Sequence, residues 1–324
     1  MHTLAQHAPK SITAPSERKC YPLPRKPRND PCTTKVGVNR RGYWFFSLIV
    51  VFLIDTLLGM DKRTLRMWIP NQHGAWAMAL TPAIVGTLGV AFGTERFPAA
   101  IVWLLIAWFI GYCAFFTFGQ AARARTVERR RQYMPPVLTY GVISLVAVAI
   151  VVMQDPSVLE WAWRYAPLVW IAVWETLQRR PRSLASGAAT TVASALLVAV
   201  IAHLAGLPTG WSSPAMAATT FLALYFTGTV PLVKTMVRDR GSSAMLAFSI
   251  GYHVVAIVVM VVYALLVGFG WWMVAVLVLA LARAVYFPLS ARRGKRWTAK
   301  DIGKAEVVPC VLAALAALGV LLTG

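Results

Sequence analysis

From Asp61 to the C-terminus the chain alternates long apolar runs with short polar loops. The runs lie at 76–92, 97–118, 136–153, 161–178, 185–206, 214–233, 244–268, 271–290 and 306–323. Each approaches the roughly 20 residues that a helix needs to cross a hydrocarbon layer about 30 Å thick. The apolar residues are continuous and do not alternate. That excludes the strands of a membrane barrel and leaves helices, because lipid offers no water to unpaired backbone groups. The predicted fold is therefore all-α: a polytopic transmembrane helical bundle of about nine spans, one domain over residues 61–324. Run 161–178 is the weakest, since Arg164 opens it and it holds Pro167 and Glu175.

Charge adds an orientation. Lys62, Arg63 and Arg66 precede the first run, and arginines cluster at 123–131 and 179–182. Lys234, Arg238 and Arg240 follow the sixth run, and six more cations fall between Arg292 and Lys304. Twenty Lys and Arg thus share one side, whereas Arg96 and Arg164 alone occupy the other. Under the positive-inside rule the basic loops and the N-terminus of the bundle face the cytoplasm, and the last helix ends outside. The expected location is an inner membrane. The net charge of +20 then reads as topology, not as a nucleic-acid surface. A composition that is 58% hydrophobic and 14% charged, with mean hydropathy +0.62, agrees with a membrane protein.

The first sixty residues break this regularity. Residues 1–43 are rich in Pro, Arg and Lys without an apolar period, and we read them as a disordered basic tail. The following apolar stretch from Tyr43 to Leu58 is short and is interrupted by Asp55. If it crossed the membrane, nine tail cations would lie outside, against the rule the other loops obey. Three readings stand: an interfacial or re-entrant stretch, an extra helix of untypical orientation, or a start assigned too early, with the working protein beginning near Met60 or Met67. The last is favoured.

Little in the sequence points to metal or cofactor chemistry. Cys20 and Cys32 lie in the tail, and Cys113 and Cys310 inside runs, with no CxxC or Cys/His spacing suited to zinc. His73 and His253 on different helices are a weak basis for haem ligation. Walker, HExxH, Rossmann and Ser-His-Asp patterns do not occur in readable form. We expect no metal and no cofactor.

Two stretches are distinctive. The first run is entered through Pro70-Asn71-Gln72-His73-Gly74-Ala75-Trp76-Ala77-Met78, with Pro82 and Gly86 following. The sixth ends in Tyr225-Phe226-Thr227-Gly228-Thr229-Val230-Pro231-Leu232-Val233-Lys234-Thr235-Met236-Val237-Arg238-Asp239-Arg240. The seventh carries Ser249 and Tyr252-His253, and the last is entered by Ile302-Gly303-Lys304-Ala305-Glu306. Over about residues 67–324 the chain resembles the YwiC-like family of bacterial integral membrane proteins. The resemblance implies a multi-span protein beginning close to the Gln72–Trp76 motif, and it supplies positions without a mechanism.

Those positions yield the candidate ligand-binding residues: Gln72, His73, Lys234, Arg238, Asp239, Ser249, His253, Arg283 and Glu306. Thr227, Pro231, Lys234 and Arg238 share one helix face, which reaches the basic boundary as a patch suited to phosphate or carboxylate. The bland alternative is a helix end that snorkels its cations to headgroups. Pro231 removes a backbone donor there, so a local kink is expected. Ser249 and His253 lie four apart, about 8–15 Å below the basic surface. An ionisable group inside a span is by default a functional hypothesis, although a neutral His bonded to Ser is also a sound packing element. Gly74 suggests a close backbone approach, and Asn71 an N-cap. Arg283 costs roughly 3 kcal/mol at a helix centre, which calls for a partner, Glu306 or Glu175. Tyr286 is placed on its face.

Helix number and polar inner loops also resemble the layout of UbiA-type prenyltransferases, a likeness of fold alone. Such enzymes hold Mg²⁺ and a prenyl diphosphate through Asp-rich motifs on two loops. Here the first loop has no Asp between Gln120 and Glu128, and the second has only Asp239, too few carboxylates for that clamp. The expected partners are the lipid bilayer and an anionic or isoprenoid lipid, with nucleic acid excluded. The expected function is a cytoplasm-facing polar site for an anionic, lipid-linked ligand. The alternative is a small-molecule transporter or an accessory membrane subunit.

Overall fold

The computed structural model describes residues 67–70 and 73–324. The tail and the stretch from Tyr43 to Leu58, together with Asn71 and Gln72, lie outside the described residues. For His73 only the backbone is described.

Among the described residues every regular element is a helix. They run α1 His73–Gly93, α2 Ala99–Arg123, α3 Val127–Gln154, α4 Ala162–Leu177 and α5 Leu184–Leu204. These are followed by α6 Pro214–Val237, α7 Ser243–Val267, α8 Trp271–Arg292, α9 Ala299–Ala305 and α10 Val307–Thr323. A 3₁₀ turn, Pro156–Trp161, leads into α4. Among the described residues eight segments are long and apolar enough to cross a membrane, α9 and α10 counting as one. The protein is a multi-pass membrane protein. The ninth segment, α4, has 16 residues yet still joins the two ends of the bundle. At one end Trp161 meets the His203 ring, 6.0 Å between centroids, and at the other Arg238 donates to the carbonyl of Arg182, 3.0 Å, just beyond α4.

Side-chain caps set the starts of several helices. Thr126, Ser183, Ser213 and Ser242 each accept a hydrogen bond from the backbone three residues on. Thr298 and Asp301 form a reciprocal capping box on α9. The start of α3 lies nine residues before the predicted run, because Thr126 caps it and the helix passes through Pro135 and Pro136. Each proline frees a carbonyl one turn back, in the Arg-rich first turns, where water can satisfy it.

The packing is uneven. Helices α5 and α6 are the most buried and form the axis of the bundle. From Leu197 to Ala202 every residue of α5 is buried, as a helix apolar all round requires. Helices α1, α4 and α6 pack on α5, and α7, α8 and α10 complete the other half around α6. Helices α2 and α3 pack chiefly on each other and touch the rest of the bundle lightly. Consecutive helices α3 and α4 make almost no contact.

Basic loops gather at one end. Arg240 donates through Nη2 to Trp297 O, 2.9 Å, and Arg292 through Nη2 to Ser243 Oγ, 3.2 Å. At the other end Ser157 Oγ lies 2.8 Å from His203 Nε2, and Tyr263 OH donates to Trp211 O. There the side chain of Ser157 also bonds Asp155, holding its carboxyl below the usual range.

Candidate functional site

The predicted residues fall into two separate groups. Lys234 and Asp239 form an ion pair of 3.5 Å at the basic end of α6, both partly exposed. Beside them the Arg238 guanidinium donates to Arg182 O. Partial burial, and then the neighbouring Arg182, hold the Arg238 pKa below its ordinary value, while Asp239 acts the other way. The patch therefore stitches the α6–α7 turn to the α4–α5 loop.

The second group is buried in the half of the bundle built by α6, α7, α8 and α10. Arg283, 6% exposed, pairs with Glu306 at the start of α10. Its Nη1 also reaches Tyr225 OH at 3.5 Å, and the guanidinium stands 5.3 Å from the Tyr225 ring centroid. Of the two partners the sequence suggested, the structure uses Glu306. Glu175 stays on α4, with its buried Oε2 unpartnered among the described residues. Tyr286 parts from Arg283 and is exposed, because three residues leave an offset of about 60° around a helix.

His253 Nδ1 lies 2.7 Å from the backbone carbonyl of Ser249, not from its hydroxyl. A carbonyl only accepts, so Nδ1 donates and the neutral ring offers Nε2 as an acceptor. That Nε2 is buried without a partner among the described residues, as is Ser249 Oγ. Gly228 makes room for the ring: a methyl there would lie 3.0 Å from His253 Nε2. Gly74, in contrast, shows no close approach: among the described residues a methyl there meets nothing within 4 Å.

Neither group lines a further cavity, which the sequence did not disclose. It has a volume of about 710 Å³ and lies between the α2–α3 hairpin and helices α1, α4 and α5. Small residues create the space: Ala79 on α1, Gly111 and Gly119 on α2, Gly141 on α3, Ala172 on α4 and Ala189 on α5 all face it. Its walls are mostly apolar, including Trp108 and Phe115. Leu145 of α3 and Val169 of α4 line it and are also exposed, so the cavity opens sideways through the gap between these helices.

Polar groups collect toward the basic end. Arg123 Nε donates to Gly119 O and its Nη2 to Gln120 Oε1, both 2.8 Å, and among the described residues no carboxylate pairs with it. Most hydroxyls are spent on helix carbonyls, such as Thr176 on Ala172 O at 2.7 Å and Ser144 on Ala107 O at 3.0 Å. Tyr112 is the exception. Its OH is buried with no partner among the described residues, and its ring packs edge-on against Trp76, centroids 4.9 Å apart. Trp76 is in turn fixed by Pro70 O, 3.0 Å from its Nε1, and Tyr140 OH holds Trp68 O at 3.3 Å. The motif that opens α1 thus forms one wall, with Ala75 facing the cavity. Thr191, also in the lining, bonds Thr227 of α6 at 2.8 Å, which links the cavity to the axis of the bundle.

Residues 69–202 match the family profile described as YwiC-like protein. Over those residues the chain is similar to the YwiC-like family. It is 27% identical over 254 residues to a Bacillus subtilis protein named "Uncharacterized protein YwiC", covering 74% of this chain and 92% of that one. It is also 25% identical over 233 residues to an "Uncharacterized protein" of Haemophilus influenzae, covering 69% of this chain and 88% of the relative. No solved structure matches the chain. Every residue lining the large cavity, from Ala75 to Ser194, falls inside the YwiC-like match, whereas Lys234, Arg238, His253, Arg283 and Glu306 fall beyond it.

Proposed function

We propose that this protein binds an anionic amphiphile, with its apolar chain in the 710 Å³ cavity and its charged group at Arg123. The observation that carries this reading is a cavity with apolar walls, a side opening between α3 and α4, and an arginine unpaired by carboxylate at its basic end. The volume falls within the roughly 300–1,000 Å³ of sites that enclose a small molecule. A ligand that partitions into the bilayer reaches a side opening without crossing water. The basic end faces the cytoplasm of an inner membrane, by the charge bias of the loops. An isoprenoid lipid is one ligand of this chemistry. A degenerate UbiA-type scaffold belongs to the same proposal, its carboxylate-poor loops leaving a diphosphate to arginine.

The test is native mass spectrometry with lipid analysis of protein purified from its own membrane. A co-purifying anionic amphiphile should be lost in Ala172→Trp, which fills the cavity, and reduced in Arg123→Gln. Folding is checked by thermal denaturation. Loss in Lys234→Ala/Arg238→Ala, with both cavity variants unaffected, would move the site to the other half of the bundle and overturn the proposal. A second reading, transport, draws on the buried Arg283–Glu306 pair and the Thr191–Thr227 link, since intramembrane charges often mark pathways. Flux of the identified ligand across proteoliposomes, abolished by Glu306→Gln, would favour it.

A further inference from the structure

A smaller hollow at the basic end shares no lining residue with the cavity. Its volume is about 260 Å³, and the α6–α7 turn and the loop after α8 frame it. That is below the roughly 300–1,000 Å³ of sites that enclose a whole small molecule, so it suits a single group. Arg240, Arg292, Lys295 and Arg296 line it, and among the described residues no carboxylate does.

Neutral partners position these cations. Arg240 donates through Nε to Met236 O, 3.1 Å, and through Nη2 to Trp297 O, 2.9 Å. Arg292 donates to Ser243 Oγ. The Lys295 ammonium lies 4.2 Å from the Trp297 ring centroid, and Trp297 is itself anchored by its Nε1 on Ser290 Oγ, 2.8 Å. Among the described residues none of the four is in an ion pair. Cations that merely reach for headgroups would splay into solvent. Here backbone carbonyls, a hydroxyl and an indole hold three of them around one hollow, where like charges repel. An anion in the hollow reverses the sign of that cost.

We propose that this hollow binds a phosphoryl group. Several cations lining one hollow match a multiply charged tetrahedral anion better than a carboxylate, and the guanidinium fork suits its oxygens. Exposed Phe248, Tyr286 and Leu289 lie on the flanking helices, so the group can arrive on a lipid as well as free in water.

Calorimetry on the full chain in a neutral detergent separates the sources. One arm titrates inorganic phosphate, a second short-chain phosphatidic acid, and a third short-chain phosphatidylcholine as a zwitterionic control. The expected result is binding of phosphatidic acid, phosphate or both, weakened about tenfold or more in Arg292→Gln/Arg296→Gln, as loss of charge-assisted bonds requires. Phosphatidic acid binding alone, weakened by the hollow variants, identifies a headgroup site, and phosphate alone a soluble anion. Lys295→Gln, a single exposed change, should weaken binding without disturbing the fold. Ala172→Trp and Arg123→Gln should leave phosphate binding unchanged, together with the share of phosphatidic acid binding that the hollow variants remove, which keeps this result distinct from the fate of the cavity. No binding in either arm, or equal affinity in the wild type and both hollow variants, would overturn the proposal.

Discussion

Arg283 is costly in isolation and tolerable in company. Buried at 6% exposure, it depends on Glu306, and each leaves the other an uncompensated charge if removed. Arg283→Ala should therefore lower stability by about 3–5 kcal/mol, while Arg283→Met with Glu306→Leu should recover most of that loss, because the pair is taken out together. Thermal denaturation of the three proteins in one detergent checks this. A double variant less stable than Arg283→Ala would show that the pair is held by more than mutual compensation. The need for a partner was legible from an arginine seven residues inside a run, but the choice between Glu306 and Glu175 was not. Which helices face each other decides it, and periodicity within a helix carries no such information. The same holds for His253, whose acceptor is a carbonyl that every residue possesses.

At the scale of the helix, small residues decide how closely partners approach. A methyl on Gly187 of α5 would fall 2.6 Å from Val230 Cγ1 of α6, and valine is stiff. Gly187→Ala should cost about 1–3 kcal/mol by overpacking the axis. Gly251 of α7 meets nothing within 4 Å, so Gly251→Ala should be neutral or stabilise by up to about 1 kcal/mol through helix propensity. Paired melting curves test the contrast, and equal shifts in both variants would contradict it. The helices themselves were largely legible, because length, continuous apolarity and capping residues act locally. The early start of α3 was missed because Pro135 resembles a first-turn residue, whereas the cap is Thr126. The large cavity was not legible, since glycines and alanines on five helices carry no mark of the space they leave between them.

For the whole molecule the charge bias sets a testable orientation. On a cysteine-free background, Glu95→Cys in the α1–α2 loop should react with an impermeant maleimide in intact spheroplasts. Arg293→Cys, beyond α8, should react only after lysis. The opposite pattern would invert the bundle and place both the cavity's polar end and the small hollow outside. One feature of the fold bears on how any bilayer meets this protein. At 16 residues α4 is about 24 Å long, about 6 Å short of a hydrocarbon layer, and its Trp163, Trp170 and Trp174 are exposed. Hydrophobic mismatch of this kind is relieved by thinning of the surrounding lipid, and Trp163 at the start of α4 and Trp174 near its end suit the two interfaces. Because α4 is one jamb of the side opening, such thinning would draw the leaflets together beside the entry route of the ligand proposed above.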